Sequence, residues 1–280
     1  MRKRFVRSLV VGAAAAAIGG ALCLGPATAQ ADDPVGILVL KEHGIGSAAQ
    51  AQPYVDKLVA VTASLNGWPG GAKGEYHTTR DGAKGFTGSA NPHYGIFSLA
   101  AFLGLREAYK LDVVGQALVS RAGGQQYFII SKDAGDLGGC KGKTLATDHG
   151  DDTKFIDGVV AKGAFRLADF SLVPTKRPLQ TIKKVVSGDA VCALIDDAQN
   201  SELGKIDGAS NVKVVWSSDR LPPMVIAAFP SAKAGERTTF QSNLSKVCAG
   251  DGKSACSEVG MQALQKAGQG DYQKVIDAYK

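Results

Sequence analysis

Two acidic clusters and four histidines are the residues of this 280-residue chain most able to do chemistry. The clusters are Asp148-His149-Gly-Asp151-Asp152-Thr153 and Asp196-Asp197, and each follows a short apolar run. Ionised carboxylates accept hydrogen bonds, donate none and repel anions. If both clusters face one space, that space suits a cation, an amine or a metal ion. Histidine with aspartate is also a transition-metal donor set, and His43, His77, His93 and His149 all fall near expected loops or strand ends. Lys41, Glu42 and His43 follow the apolar run at 35–40, Ser98 and Phe102 follow the one ending at Phe97, and Ser217 and Ser218 follow Trp216. Asp, Ser and Thr also cap helices, so each candidate has a purely structural use as well.

Several reactions find no machinery here. Gly139-Cys-Lys-Gly-Lys-Thr144 approaches a phosphate-binding loop, but Leu137 stands where its first glycine is required. There is no G-x-S-x-G elbow, no H-E-x-x-H, no dinucleotide fingerprint and no C-x-x-C. The residues point to a binding protein with no cofactor; an exported enzyme is the alternative.

The elements that must carry these residues alternate. Val35–Leu40 reads as a strand buried on both faces. A helix follows with Tyr54, Leu58, Val61 and Leu65 at helical spacing; Ser47 with Gln50 could cap it, or Pro53 could sit in its first turn. Residues 69–93 read as a loop, rich in Gly, Lys, Asp and Asn. Then come a strand at 94–97, a helix at 99–108, and strands at 113–119 and 127–130. From Gly142 the alternation restarts, with strands at 143–147, 170–173, 190–195, 212–216 and 225–229, and helices at 153–162 and 179–187. The last fifty residues read as helical. Strands alternating with helices predict a parallel-type α/β sheet, twice over.

Arg2, Lys3, Arg4 and Arg7, an apolar run from Ser8 to Leu24, and small residues at Ala29 and Ala31 form a secretory signal with cleavage after Ala31. Leu22 before Cys23 argues against lipidation. Four of the 32 basic residues lie in this leader, leaving 28 against 26 acidic ones. A balance this even gives no basic face for nucleic acid. Four cysteines follow the leader, and an even count in an exported chain favours disulfides. Cys248 and Cys256 flank a seven-residue loop able to join them; the partners of Cys140 and Cys192 stay open.

Three stretches resemble type II periplasmic solute-binding proteins of the phosphate/phosphonate/sulfonate type. They are Tyr127-Phe-Ile-Ile-Ser-Lys-Asp with Asp136-Leu-Gly-Gly-Cys-Lys-Gly-Lys-Thr-Leu-Ala146, Val185-Val-Ser-Gly-Asp-Ala-Val-Cys-Ala-Leu-Ile-Asp196-Asp197, and Trp216-Ser-Ser-Asp-Arg-Leu-Pro-Pro-Met224. Tyr94-Gly-Ile-Phe-Ser98-Leu-Ala-Ala-Phe102 is a looser match, and residues 94–230 are covered. The resemblance implies an α/β fold of two lobes with a ligand cleft between them. Its parts would be a signal peptide at 1–31, lobe 1 at 32–125, lobe 2 at 126–221, and a return to lobe 1 at 222–280. It also implies a periplasmic, monomeric receptor that hands a small-molecule solute to the membrane permease of an ABC transporter. Cleft candidates are His43, Ser98, Phe102, Asp148, His149, Asp151, Asp152, Thr153, Asp196 and Asp197. Relatives usually offer hydroxyls where Asp151 and Asp152 stand here, so a cationic or metal ligand is the expectation.

Overall fold

The computed structural model describes residues 33–43, 47–119 and 124–280. The secretory signal, its cleavage point and Cys23 lie outside the described residues.

In chain order the strands are β1 (Val35–Leu40), β2 (Ala72–His77), β3 (Tyr94–Phe97), β4 (Asp112–Val119), β5 (Tyr127–Ser131), β6 (Thr144–Thr147), β7 (Ser171–Pro174), β8 (Cys192–Asp196), β9 (Lys213–Ser217), β10 (Met224–Ala228) and β11 (Met261–Lys266). They form two sheets, ordered β11-β4-β10-β3-β1-β2 and β7-β6-β8-β5-β9. The two share one plan. A first strand pairs in parallel with the second and third, and an antiparallel strand is then inserted between third and fourth. In each sheet the inserted strand, β5 or β10, arrives from the other lobe. The chain therefore crosses between β4 and β5 and again between β9 and β10.

The crossings are paired with each other. Leu221 N–H donates to Gln125 O at 2.7 Å and Ser218 N–H to Tyr127 O at 2.8 Å, and Tyr127 N–H donates to the Ser218 hydroxyl at 3.0 Å. Such paired crossings are where a two-lobed protein bends.

Helices α1 (Ala48–Asn66), α2 (Arg80–Ser89), α3 (Leu99–Tyr109), α4 (Leu137–Cys140), α5 (Pro178–Val186), α6 (Asp197–Glu202), α7 (Ala234–Val247), α8 (Gly252–Glu258) and α9 (Gln269–Ala278) cover the sheets. One apolar cluster runs through both lobes, joining Leu40, Phe97, Phe102 and Tyr272 to Tyr127, Leu145 and Phe155. Two smaller clusters fill the remaining sheet faces. The six residues of β1 are all buried, as a strand flanked on both edges and both faces must be.

Three expectations are corrected. Residues 69–93 hold β2 and α2; they read as a loop because β2 is an edge strand with only Gly74 buried, and α2 buries only Ala83 and Phe86. The last fifty residues are not all helical, since β11 lies at the sheet edge with an irregular buried pattern. The helix read at 153–162 is a wide π-helical stretch at Phe155–Val160. The ambiguous start of α1 resolves as the Ser47/Gln50 capping box, with Pro53 inside the helix. Disulfides join Cys248 to Cys256, as expected, and Cys140 to Cys192.

Candidate functional site

The carboxyl ends of β1, β3, β6 and β8 converge, and the residues that follow them line a cavity of about 910 Å³ between the lobes. Lys41, His43 and Ser98 enter it from the first lobe, and Tyr127, His149 and Asp196 from the second. Ligands of open parallel sheets sit at such strand ends, where helix N-termini leave N–H groups unpaired.

The first lobe supplies donors. Burial lowers the Lys41 pKa, opposed by Asp196 and Asp197 across the cavity. Its ammonium makes no hydrogen bond to a described residue. Ser98 is the N-cap of α3 without capping it through its side chain; its hydroxyl accepts from Glu42 N–H at 3.3 Å instead. The first-turn N–H groups of a helix have no partner inside that helix, and Leu99 and Ala100 open on the cavity. Tyr127 adds a buried hydroxyl from the second lobe, held protonated far above its ordinary range by burial and by Asp196 and Asp197.

The second lobe's acids are organised by Gln199, a residue 2% exposed. Its Nε2 donates to Asp148 Oδ1 at 2.9 Å and to Pro178 O at 3.1 Å. Its Oε1 must then be the acceptor for Asp196 N–H at 2.8 Å and for His149 Nε2 at 3.0 Å. That assignment puts the His149 proton on Nε2. Asp196 returns the favour by capping α6 through Gln199 N–H at 2.8 Å. Asp148 also accepts from the Thr181 hydroxyl at 3.0 Å, and Asp197 accepts from Gly124 N–H at 2.9 Å. Burial raises the pKa of both Asp196 and Asp197, opposed by His149 and by backbone N–H donors respectively.

A second bridge closes one side of the cleft. Arg80 contacts Glu42 Oε1 at 2.8 Å and Asp152 Oδ2 at 2.7 Å, and it donates to Ala100 O at 2.9 Å. Burial alone would lower the Arg80 pKa; the two carboxylates overcome it and hold the guanidinium charged. Asp152 accepts the Tyr279 hydroxyl at 2.9 Å as well and caps Phe155 N–H at 3.0 Å.

Of the ten expected ligand residues, the cavity wall takes His43, Ser98, His149 and Asp196. Asp148 and Asp151 lie against His43, with oxygens 3.8 and 3.7 Å from its ring nitrogens. Asp197 lies behind the wall, tied to Gly124. Three expectations fail. Phe102 is fully buried against Tyr272 in the core, because it is one turn into α3 on the face turned to the sheet. Thr153 is exposed and lines no cavity, since the turn before it directs Asp152 inward. Asp152 serves the Arg80 bridge and a helix cap. His77 and His93 sit on the first lobe beside Glu75 and Gly36. Among the described residues no group of three His, Cys, Asp or Glu is placed to hold a metal ion.

Sequence reading missed Tyr127, Gln199 and Arg80. Gln199 had a signal, the Asp-x-x-Gln spacing of a capping box at Asp196. Tyr127 could have been found as the first inward residue after the crossing. Arg80 was hidden in the segment taken for a loop.

The chain matches no protein-family model and no curated protein. Solved structures do match it. A binding protein component of an ABC phosphonate transporter from Pseudomonas aeruginosa is similar at TM-score 0.65 and 14% identity, covering 88% of this chain and 86% of the other. PhnD1 from Prochlorococcus marinus in complex with methylphosphonate is similar at TM-score 0.64 and 9% identity, over 88% and 97%. The periplasmic aliphatic sulphonate binding protein from Escherichia coli is similar at TM-score 0.53 and 11% identity, over 88% and 79%. The fold is the two-lobed type II periplasmic-binding-protein fold, and these are proteins of the kind whose motifs the sequence resembles.

Proposed function

We propose that this chain is the extracytoplasmic solute-binding component of an ABC-type importer, a receptor and not an enzyme, which passes a small solute to a membrane permease. One observation carries the reading: polar groups from both lobes converge on one cavity at the strand ends, beside a paired double crossing able to bend. Among the described residues lining that cavity, no hydroxyl is hydrogen-bonded to a histidine or a carboxylate. Among the described residues no helix is long and apolar enough to cross a membrane, which suits a receptor that meets its permease at the surface.

The solute is a small polar molecule that offers acceptor oxygens to Lys41 and the first turn of α3. Its donor groups meet Asp196. Lys41 is the anchor, because a half-buried ammonium with no hydrogen bond to a described residue is the group that gains most from an acceptor. The wholly cationic or metal ligand expected from the acidic loop loses its support, since Asp148, Asp152 and Asp197 are already satisfied by protein donors.

Native mass spectrometry of gently purified protein, followed by calorimetry with methylphosphonate, alkyl sulfonates and amino acids, tests the reading. Lys41→Met should weaken the retained solute about ten- to a hundred-fold, the worth of a charge-assisted hydrogen bond, and leave melting unchanged. Turnover of any of these compounds, or equal affinity in Lys41→Met, would sink it.

A further inference from the structure

We propose that His43 is a pH-operated wedge, which lets the lobes close only while its imidazole is neutral and parts them when it gains a proton. The inference rests on the two-lobed cleft and not on the identity of the solute. His43 comes from the first lobe, just past β1, and its ring packs edge-on against His149 of the second at a centroid separation of 4.4 Å. The backbone at His43 is left-handed, φ +56°, a conformation a non-glycine residue holds only where its surroundings fix it. The ring makes no hydrogen bond to a described residue; its nitrogens approach Asp148 and Asp151 no nearer than 3.8 and 3.7 Å.

The residue also stands at a boundary. His43, Glu42 and Leu179 line both the 910 Å³ cavity and an outer groove of about 780 Å³. Arg80, Asp148 and Asp151 line that groove too. His43 thus stands between the solute cavity and the groove.

The groups facing the ring decide the sign. Glu42 on its own segment is committed to Arg80 of α2. From the second lobe come Asp148, His149 and Asp151. Burial opposes a charge on His43 most strongly, with His149 and Arg80 acting in the same direction. Asp148 and Asp151 act against them, yet Asp148 already accepts from Thr181 and Gln199, and Asp151 is 67% exposed, where water screens it. The balance lowers His43 to about 4 with the two rings packed as they are here. Parting the lobes returns the ring to water and toward its ordinary value near 6.5. A base whose pKa is depressed on closure favours the closed form fully above the open-form pKa, and that preference is lost as pH falls from about 6.5 toward 4. Between pH 7.5 and 5.5 the open-to-closed ratio should rise about tenfold.

Small-angle scattering of the purified, ligand-free chain reads this directly. The wild-type radius of gyration should grow between pH 7.5 and 5 with far-UV circular dichroism unchanged. His43→Gln should stay compact across the range, and His43→Arg should be expanded already at pH 7.5. A flat wild-type profile, an expansion shared by His43→Gln, or a compact His43→Arg at pH 7.5 would overturn the proposal. No solute is added, so the outcome stands whether or not the receptor reading holds.

Discussion

Asp152 meets Arg80 at 2.7 Å from the opposite lobe, and the aspartate is 10% exposed. The contact belongs to a chain of four side chains, Glu42, Arg80, Asp152 and Tyr279, that ties β1, α2, the loop after β6 and the segment after α9 together. Removing one partner of a buried pair strands the other, at a cost of about 3–5 kcal/mol when burial is complete. Arg80 is a quarter exposed and keeps Glu42, so Asp152→Ala should cost about 2 kcal/mol in urea unfolding. Asp152→Asn keeps an acceptor for Tyr279 and should cost less. A stability unchanged by Asp152→Ala would show the bridge to be idle.

Gly158 brings the π-helical stretch against the end of α9. A Cβ at that position would run into the Ala278 carbonyl, a backbone atom that cannot turn away. Gly158→Ala should therefore loosen α9 without touching the cavity. Hydrogen exchange should rise selectively over residues 269–279, by about tenfold for each 1.4 kcal/mol lost. Uniform exchange would contradict this packing.

The two disulfides differ in reach. Cys140 and Cys192 are separated by 52 residues and Cys248 and Cys256 by 8. If restriction of the unfolded chain dominates, the longer loop contributes about 4 kcal/mol and the shorter about 2.5 kcal/mol. Cys140→Ala/Cys192→Ala should lower the urea midpoint more than Cys248→Ala/Cys256→Ala. The reverse order would place the effect in native-state packing.

What the sequence made legible follows from how strongly each residue is constrained by local rules. Buried central strands such as β1, β3 and β8 were readable as apolar runs, because burial on both faces permits little else. The edge elements β2, α2 and β11 were not, since few of their residues are buried and their pairing comes from the neighbouring strand. At the site, strand ends placed His43, Ser98, His149 and Asp196, and the cavity wall takes all four. The meaning of the acids was not legible. Asp148 and Asp152 are adjacent in type and near in sequence, yet their partners, Thr181, Gln199, Arg80 and Tyr279, come from 33 to 127 residues away. Only the folded chain shows that those charges are already answered.

Phe102, expected in the cleft, lies in the core, whereas Tyr127 lines the cavity, and a paired substitution separates their roles. Phe102 has no exposed surface and packs on Tyr272, so Phe102→Ala removes a ring from the core and should cost about 3–5 kcal/mol of stability. Any folded fraction should bind the retained solute as wild type does. Tyr127 is also buried, but it lines the cavity, and its hydroxyl makes no hydrogen bond to a described residue. Tyr127→Phe deletes that one oxygen and keeps the ring packed against Phe155 and His149. Melting should be unchanged. Affinity should fall about fivefold, the worth of one net hydrogen bond near 1 kcal/mol. Calorimetry and thermal melting on the two variants check both halves together. Equal affinity in Tyr127→Phe would remove the hydroxyl from the solute's contacts and leave Lys41 and α3 to hold it alone.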